Sequence, residues 1–561
     1  MPTERVSERL RRPRCRTGRA QLVVVAVGAI GILTVACGGQ DSPQPAQQTG
    51  IAVTVPEQVA EATAGVLASR PGEGISAAGG ALVAGEPCPD PGAAGAAETV
   101  KIALSTPDVF DLEIIGLGDL VYDDPGHVID AYVNKVNSLG GLNGHCFEFV
   151  GHVYGFVDPA GDIGRICTEL PAVEPLVLLG LGLNDAILGC ATLAAQIPTV
   201  GLYAQFPNAT FAQAGGLLRV DHGADEFLLE NGMGAAFAAG ILTTADSVAL
   251  LHRAAEAMSE GMEMAHEMGE AQAFGGHMHD PDAPDISVFD AVSRRLGLQV
   301  AGWAGVQLDF SGTGVLVVEQ QFRELGGDIF DPDPASFDRA VASMPPDVAS
   351  LLVAMRQYFG ATAAEMRDAG VTAVVATGSW DDVRNMMRAA ELAGWYPKWI
   401  INDSHYAFLV LTNAPKAQGL NLVQISSRRA ADDPIDGRDR GCLSLRNAET
   451  AADPFAHRFH TDAWSLMTSI CDYLDVVFGA VSRVDGPLTR ESFLAALAQT
   501  DYEAAHGQSV KFSAGDLYGS DSFRVLSADP DCVLNDWGCM RPLTGWFEPV
   551  AAAGRETGTE G

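Results

Sequence analysis

Basic residues are scarce in this 561-residue chain: 35 Lys and Arg stand against 71 Asp and Glu, a formal charge of -36. A phosphate-binding surface needs a basic field, and no run of Lys or Arg occurs after Arg19, so nucleic acid is not an expected partner. Catalytic signatures are missing too. There is no Gly-x-Ser-x-Gly elbow, no Walker A loop and no His-Glu-x-x-His, since His266-Glu267 lacks the second His. No Cys-x-x-Cys pair occurs, which argues against a zinc ribbon or a thioredoxin-like centre. Asp432-Asp433-Pro434-Ile435-Asp436-Gly437 resembles the start of a calcium loop, but the twelfth position carries no Glu, and a solvated turn is the reading preferred. An enzyme is therefore not expected, and neither a metal nor a cofactor. Aromatic residues make up only 7%, yet 47% of the chain is hydrophobic, too much for a disordered polymer and enough for a large core in two to four domains.

The N-terminus holds what basic charge is concentrated anywhere. Residues 1–19 contain Arg5, Arg9, Arg11, Arg12, Arg14, Arg16 and Arg19, followed by an apolar run over residues 22–33 and then Thr34-Val35-Ala36-Cys37-Gly38-Gly39. A basic stretch, a short apolar stretch and small residues at the exit form a secretory signal, and the apolar run is short for a membrane span of roughly 20 residues. Cys37 directly after Ala36 resembles the bacterial lipobox, with Thr34 where Leu is usual. Residues 1–36 are thus expected to be a lipoprotein signal peptide and Cys37 the acylated mature N-terminus; an ordinary cleaved signal or an uncleaved anchor is the alternative. Of ten Cys, Cys15 then falls in the leader, and Cys88, Cys146, Cys167, Cys190, Cys442, Cys471, Cys532 and Cys539 remain. An even set outside the cytoplasm reads as disulfides. Spacing cannot fix the pairing, but nearness favours Cys167–Cys190, Cys442–Cys471 and Cys532–Cys539, leaving Cys88–Cys146.

Residues 37–97 are rich in Gly, Ala, Pro and Gln and cannot bury enough apolar surface to offset chain entropy, so a flexible tether is expected. From Thr99 onward short apolar runs alternate with helical patterns: strands at 100–104, 147–150, 176–179 and 197–201, with helices at 129–139 and 165–170 between them. The alternation resumes with strands at 299–306, 328–330, 373–377, 399–401 and 420–425, and helices at 315–325, 347–359, 362–369 and 381–393. A long helical stretch at 455–481, a shorter helix at 490–499 and β-structure near 510–512 and 523–526 complete the pattern. Strand–helix alternation at this spacing means α/β architecture with parallel sheets covered on both faces. Two such units in series would face each other across a cleft suited to a small ligand.

Residues 129–145, Ile-Asp-Ala-Tyr-Val-Asn-Lys-Val-Asn-Ser-Leu-Gly-Gly-Leu-Asn-Gly-His, resemble the helix ending in a double Gly and Asn-Gly turn that is found in type I periplasmic binding proteins, in particular the substrate-binding receptors of branched-chain amino acid ABC transporters. Ile197-Pro198-Thr199-Val200, Phe322-Arg323-Glu324-Leu325-Gly326-Gly327 and the stretch from Ala389 to Pro397 are similar to further pieces of that family, in the same order. The resemblance spans roughly residues 98–550. It implies two Rossmann-like lobes joined by a three-crossing hinge: lobe 1 from 98–235, lobe 2 from 236–405, a return to lobe 1 over 406–505 and to lobe 2 over 506–550, with 551–561 a disordered tail. It also implies partners: a small-molecule ligand, an ABC permease, and the lipid bilayer through acylated Cys37 on the outer face of the cell membrane. The expected role is capture of a small polar organic solute, amino-acid-like, amide or amine, for an importer; a ligand-sensing or interaction lipoprotein without a transport partner is the alternative.

The resemblance maps the lobe 1 binding loops onto Asn184, Asp185, Tyr203, Gln205 and Phe206. The family's Ser and Thr hydroxyls are absent there, and Asp185 disfavours an anionic ligand; its other reading is a helix N-cap. From lobe 2 the strand ends offer Trp303, Trp380, Asp381, Asp403, His405 and Tyr406, aromatic area plus carboxylates able to meet an ammonium. Trp380 as core and Asp381 as N-cap stay open. Residues 244–296 stand outside the family pattern and carry Met258, Met262, Met264, His266, Met268, His277, Met278 and His279. Thioether and imidazole suit copper, but Met at helical spacing more often packs, and no metal is assigned.

Overall fold

A computed structural model describes residues 87–88, 99–108, 125–155, 160–181, 187–202, 217–219, 227–253, 284–306, 313–377, 379–412, 414–449, 462–512, 519 and 522–549. The leader, Cys37 and the expected tail lie outside the described residues, as does the tether apart from Pro87 and Cys88.

The first body is a five-stranded sheet in the order β2-β1-β3-β4-β5, every pairing parallel. Its strands are β1 (Val100–Pro107), β2 (Phe147–Tyr154), β3 (Val177–Leu181), β4 (Thr199–Leu202) and β5 (Leu217–Arg219). Side chains alternate between its faces as the pleat requires. Ile102, Leu104, Val177 and Leu179 enter one core, against α1 (Pro125–Ser138) and residues from the C-terminal part of the chain. Ala103 and Leu178 enter the other, against α2 (Ala160–Ala172) and a π-helical segment at Leu188–Ala194.

The second body begins with a π-helical segment (Leu228–Gly232) that runs into α3 (Met233–Ala238). Its sheet follows the order β14-β13-β10-β9-β8-β6-β7. Here β6 is Ser247–Arg253, β7 Gln299–Val306, β8 Ala373–Thr377, β9 Lys398–Ile401 and β10 Leu422–Ser426, all parallel to one another. Two antiparallel strands, β13 (Arg524–Asp529) and, at the edge, β14 (Cys539–Pro542), extend it beyond β10. The same two-face alternation holds: Ala249, Leu251, Val374 and Ala376 face one core, Val248, Leu250, Ala373 and Val375 the other. The helices are α4 (Pro284–Leu296), α5 (Thr313–Glu324), α6 (Pro334–Val341), α7 (Pro346–Asp368), α8 (Trp380–Leu392), α9 (Ala407–Leu411) and α10 (Lys416–Gly419). The chain then returns to the first body with α11 (Gly437–Glu449), α12 (Asp462–Ser482), α13 (Arg490–Leu497) and the hairpin β11 (Asp501–Glu503) and β12 (Ser509–Lys511). Cys442, Leu474, Phe478, Phe493, Tyr502 and Val510 share the core of Ile102 and Tyr132.

The expected α/β class of two Rossmann-like halves is therefore what the chain forms, with three passes between them, at 219–227, 430–437 and 512–522. The lobe limits shift. Leu228, Leu229 and Met233 pack with Val248, so residues 228–235 lie with the second body, and β10 pairs with β9, so 406–426 does too. The hairpin places 506–512 with the first body. The supposed insertion narrows as well: its ends are β6, inside the second sheet, and α4, leaving residues 254–283 with the Met/His stretch outside the described residues. Residues 328–330 form a turn rather than a strand, because the Asp328 carboxylate accepts from the Phe330 N–H at 2.8 Å. The two helices expected over 347–369 are one, since Leu352, Met355, Phe359, Ala363 and Met366 make an unbroken buried stripe past Gly360. All four disulfides join the pairs that nearness favours.

Candidate functional site

In a doubly wound sheet the chain leaves adjacent strands toward opposite faces at one point, and a crevice opens there at the carboxyl ends. The first sheet switches between β1 and β3, the second between β6 and β8. At the first switch point Ser105, fully buried on β1 opposite Gly180, carries a hydroxyl with no hydrogen-bond partner. In the sequence it falls just past the apolar run 100–104, and a small polar residue two places before Pro107 is its one signal. The expected contacts Asn184, Asp185, Tyr203, Gln205 and Phe206 lie outside the described residues.

At the second switch point β6 ends in His252 and Arg253, and β8 ends in Thr377 ahead of α8. Ser379 caps α8: its backbone N–H and hydroxyl both donate to Asp382 (3.2 and 2.7 Å), and the hydroxyl also lies 2.5 Å from Asp381. Asp381 is thus a buried first-turn residue beside the cap; the N-cap itself is Ser379, not Asp381 as its alternative reading had it. Trp380 packs on the core with the Arg384 guanidinium 5.0 Å over its ring. Trp303 stands in the middle of edge strand β7, 56% exposed, paired in register with Leu250 rather than at a strand end. Trp303 is therefore not at a strand end, whereas Trp380 and Asp381 follow the end of β8 as expected of their position.

Asp403 follows β9 and is wholly buried. Its carboxylate accepts from Gln424 Nε2 (3.0 Å), from the Ser426 hydroxyl, and from both the N–H and the hydroxyl of Ser427 (2.9 Å each). Its role is to tie the end of β9 to the end of β10, which corrects its assignment as an ammonium partner. His405 is buried, with Nδ1 2.7 Å from Asn402 Oδ1. Tyr406, at φ 49°, stacks under Arg428 with 4.7 Å from Cζ to the ring centre. It also lines a cavity.

That cavity, about 130 Å³, lies at the far end of the second sheet beside the middle pass. Polar groups crowd the same pass. Arg429 pairs with Asp439 (2.5 Å) and Asp472 (3.4 Å) on the first body, while Arg524 holds Asp433 and His506 Nε2 meets the Ser427 carbonyl (3.0 Å). Tyr132 and Tyr502 donate to Asp475, and Tyr502 also to Asp472 (2.7 Å). Burial, with the nearby Asp472, pushes the Asp475 carboxyl up to about 7 against those hydrogen bonds. Burial raises Asp439 to about 6, with Arg429 opposing. Burial holds His506 well below the usual imidazole range, and Arg429 and Arg524 add to it. Among the described residues no cluster of His, Cys, Asp and Glu could hold a metal, and no helix is long and apolar enough to cross a membrane.

No family model and no curated protein matches the chain. Solved structures do, distantly. A solute-binding protein of an ABC transporter from R. palustris, in complex with 4-hydroxybenzoate, is 12% identical, covering 81% of this chain and 98% of that one with a TM-score of 0.49. A fatty acid ABC transporter substrate-binding protein from Thermomonospora curvata is 13% identical, at 80% and 92% coverage and a TM-score of 0.48. A branched chain amino acid ABC transporter from Thermus thermophilus with bound valine is 13% identical, at 80% and 97% coverage and a TM-score of 0.48.

Proposed function

We propose that this chain is an extracytoplasmic solute-binding lipoprotein that closes its two bodies on a small polar organic molecule and hands it to an ABC importer. One observation carries the reading: two sheets with the same strand order, 2-1-3-4-5 in each parallel part, are joined by three passes. Three connections form a hinge, and each sheet brings its own switch-point crevice to the shared cleft. A ligand touching both edges favours the closed arrangement by the contacts it gains there. Ser105 from the first body and the ends of β6 and β8 from the second are the groups we place at the ligand, together with the loops containing Asn184, Asp185, Tyr203, Gln205 and Phe206. The basic-apolar leader over residues 1–36, directly before Cys37, and the four disulfides support export.

The test is a thermal-shift screen of amino acids, amides, amines and small acids on the mature protein, followed by small-angle scattering with the best binder. Binding raises Tm by mass action, and closure lowers the radius of gyration. A binder that leaves the radius unchanged, or that Ser105→Trp does not weaken, would remove the cleft reading. Cys37→Ala is expected to move the protein from the membrane fraction to the soluble one. Loss of uptake of the same compound on deleting the gene separates transport from sensing.

A further inference from the structure

The two bodies are joined by more than the three passes. Ser427 is held by the Asp403 carboxylate at the end of β9, and Ala430 packs in the core of the second body. The backbone of Arg429, between them, therefore belongs to that body. Its guanidinium lies in the first. Cζ stacks 5.0 Å from the ring centre of Trp464, a residue of the first body's core. Nη2 meets Asp439 of α11 at 2.5 Å and Asp472 of α12 at 3.4 Å. His506 reaches the other way. Its hairpin packs in the first body through Tyr502, Ala504 and Val510, while its Nε2–H donates to the Ser427 carbonyl at 3.0 Å.

These braces bridge a short free length of chain. Upstream, Asp433 is fixed to the second body by Arg524 of β13 and by the Ala430 N–H (2.7 Å). Downstream, Asp436 is fixed to the first body, where it accepts from the N–H groups of Arg438 and Asp439 (2.7 and 3.2 Å) at the start of α11. Pro434 and Ile435 alone lie between the two anchors, and the ring of Pro434 locks one of their dihedrals. A change of angle there carries Asp439 and Asp472 past the strand end that holds Arg429. The Arg429 and Asp439 side chains are 2% and 1% exposed, and parting a buried guanidinium from its carboxylates is costly. The angle at which they stay paired is therefore favoured whatever the cleft holds.

We propose that Arg429 is a positioning residue whose ion pairs with Asp439 and Asp472 set the resting angle between the two bodies. Releasing it adds to the work of changing that angle. It thereby tunes solute affinity from outside the cleft, through the fraction of molecules able to engage a ligand from both sides. That consequence rests on the solute-capture reading; the resting angle does not.

Spin labels on Lys135→Cys of α1 and Glu365→Cys of α7, both exposed, report the distance between the bodies in the ligand-free mature protein with its disulfides intact. Arg429→Met keeps an unbranched stem but removes both ion pairs. It is expected to broaden the distance distribution or add a second distance, with near-UV circular dichroism retained. Tyr502→Phe is the control: it removes hydrogen bonds to the same Asp472 and to Asp475 without reaching the second body, and is expected to leave the distribution unchanged. Should Arg429→Met fail to fold, Asp439→Ala removes the nearer partner and is read in the same way. The proposal is overturned if the folded brace variant reproduces the distribution of the unsubstituted protein, or if Tyr502→Phe shifts it as much. Failure to find any solute that binds undoes the capture reading instead and leaves this measurement standing.

Discussion

Asp403 shows how a buried carboxylate can serve a fold rather than a ligand. Four donors from Gln424, Ser426 and Ser427 converge on it and join the ends of β9 and β10 where the chain prepares to leave the second body. Asp403→Ala strands those donors and is expected to cost about 3 kcal/mol or more, judged from buried-partner deletions, with Asp403→Asn milder; urea unfolding midpoints check this. Asp475 makes a different prediction. Its folded pKa of about 7 lies above the ordinary carboxylate value of about 3.9, so between those pH values the folded chain holds a proton the unfolded chain has lost. Its stabilising contribution is full below pH 4 and is lost as pH rises through 7. Asp475 meets Tyr132 from α1, Tyr502 from β11, and Asp472 and Arg438 beside it. Asp475→Asn is therefore expected to flatten the fall of Tm between pH 5 and pH 8; Asp439, also raised, adds to that fall and the depressed His506 opposes it, and thermal melts at constant ionic strength measure the change. None of this was legible in the sequence. An Asp at a strand end reads alike whether it faces a ligand or a Ser-Ser turn twenty-four residues away.

At the scale of elements, the turn after α1 explains its own sequence. Gly140, Gly141, Asn143 and Gly144 all take positive φ. A Cβ on Gly141 would sit 2.1 Å from the His145 carbonyl, so only glycine fits there. Asn143 is present for a second reason: its amide donates to the carbonyls of Val481 and Ser482 (3.0 and 3.1 Å), closing the C-terminal end of α12 from across the body. Asn137, one turn earlier, clamps both the N–H and the carbonyl of Phe147 at the start of β2. Asn143→Gly keeps the backbone free to adopt its angle but loses the α12 bonds, and is expected to cost about 1–2 kcal/mol; Asn143→Ala adds strain and costs more. Chemical denaturation of the two variants separates the terms. The pattern of this turn was readable from sequence because glycine and Asn-Gly report local backbone angles. Its partner on α12, more than three hundred residues away, was not. Strands were found for the same local reason, as short apolar runs such as 299–306 and 373–377. Which sheet a strand joins is a non-local fact, and β10 was assigned to the wrong body on that account.

For the molecule as a whole, the disulfides divide by the length of chain they close. Cys88–Cys146 spans 58 residues and Cys532–Cys539 only 7. On loop-closure entropy, removing the first pair by Cys→Ala is expected to cost about 4 kcal/mol and the last about 2, read as the order of Tm losses. The longest of these closures also decides how the body hangs from whatever holds its N-terminus. Cys88 is fastened to Cys146, the residue before β2, and its N–H donates to the carbonyl of Asn137 in the last turn of α1 at 2.9 Å. A pull arriving at Cys88 is thus taken up by that fastening and passes to the sheet through Cys146, whose carbonyl accepts from the Val100 N–H at the start of β1 (2.8 Å). The first body therefore takes such a load as a mooring post, at one covalent bond that a reductant could release.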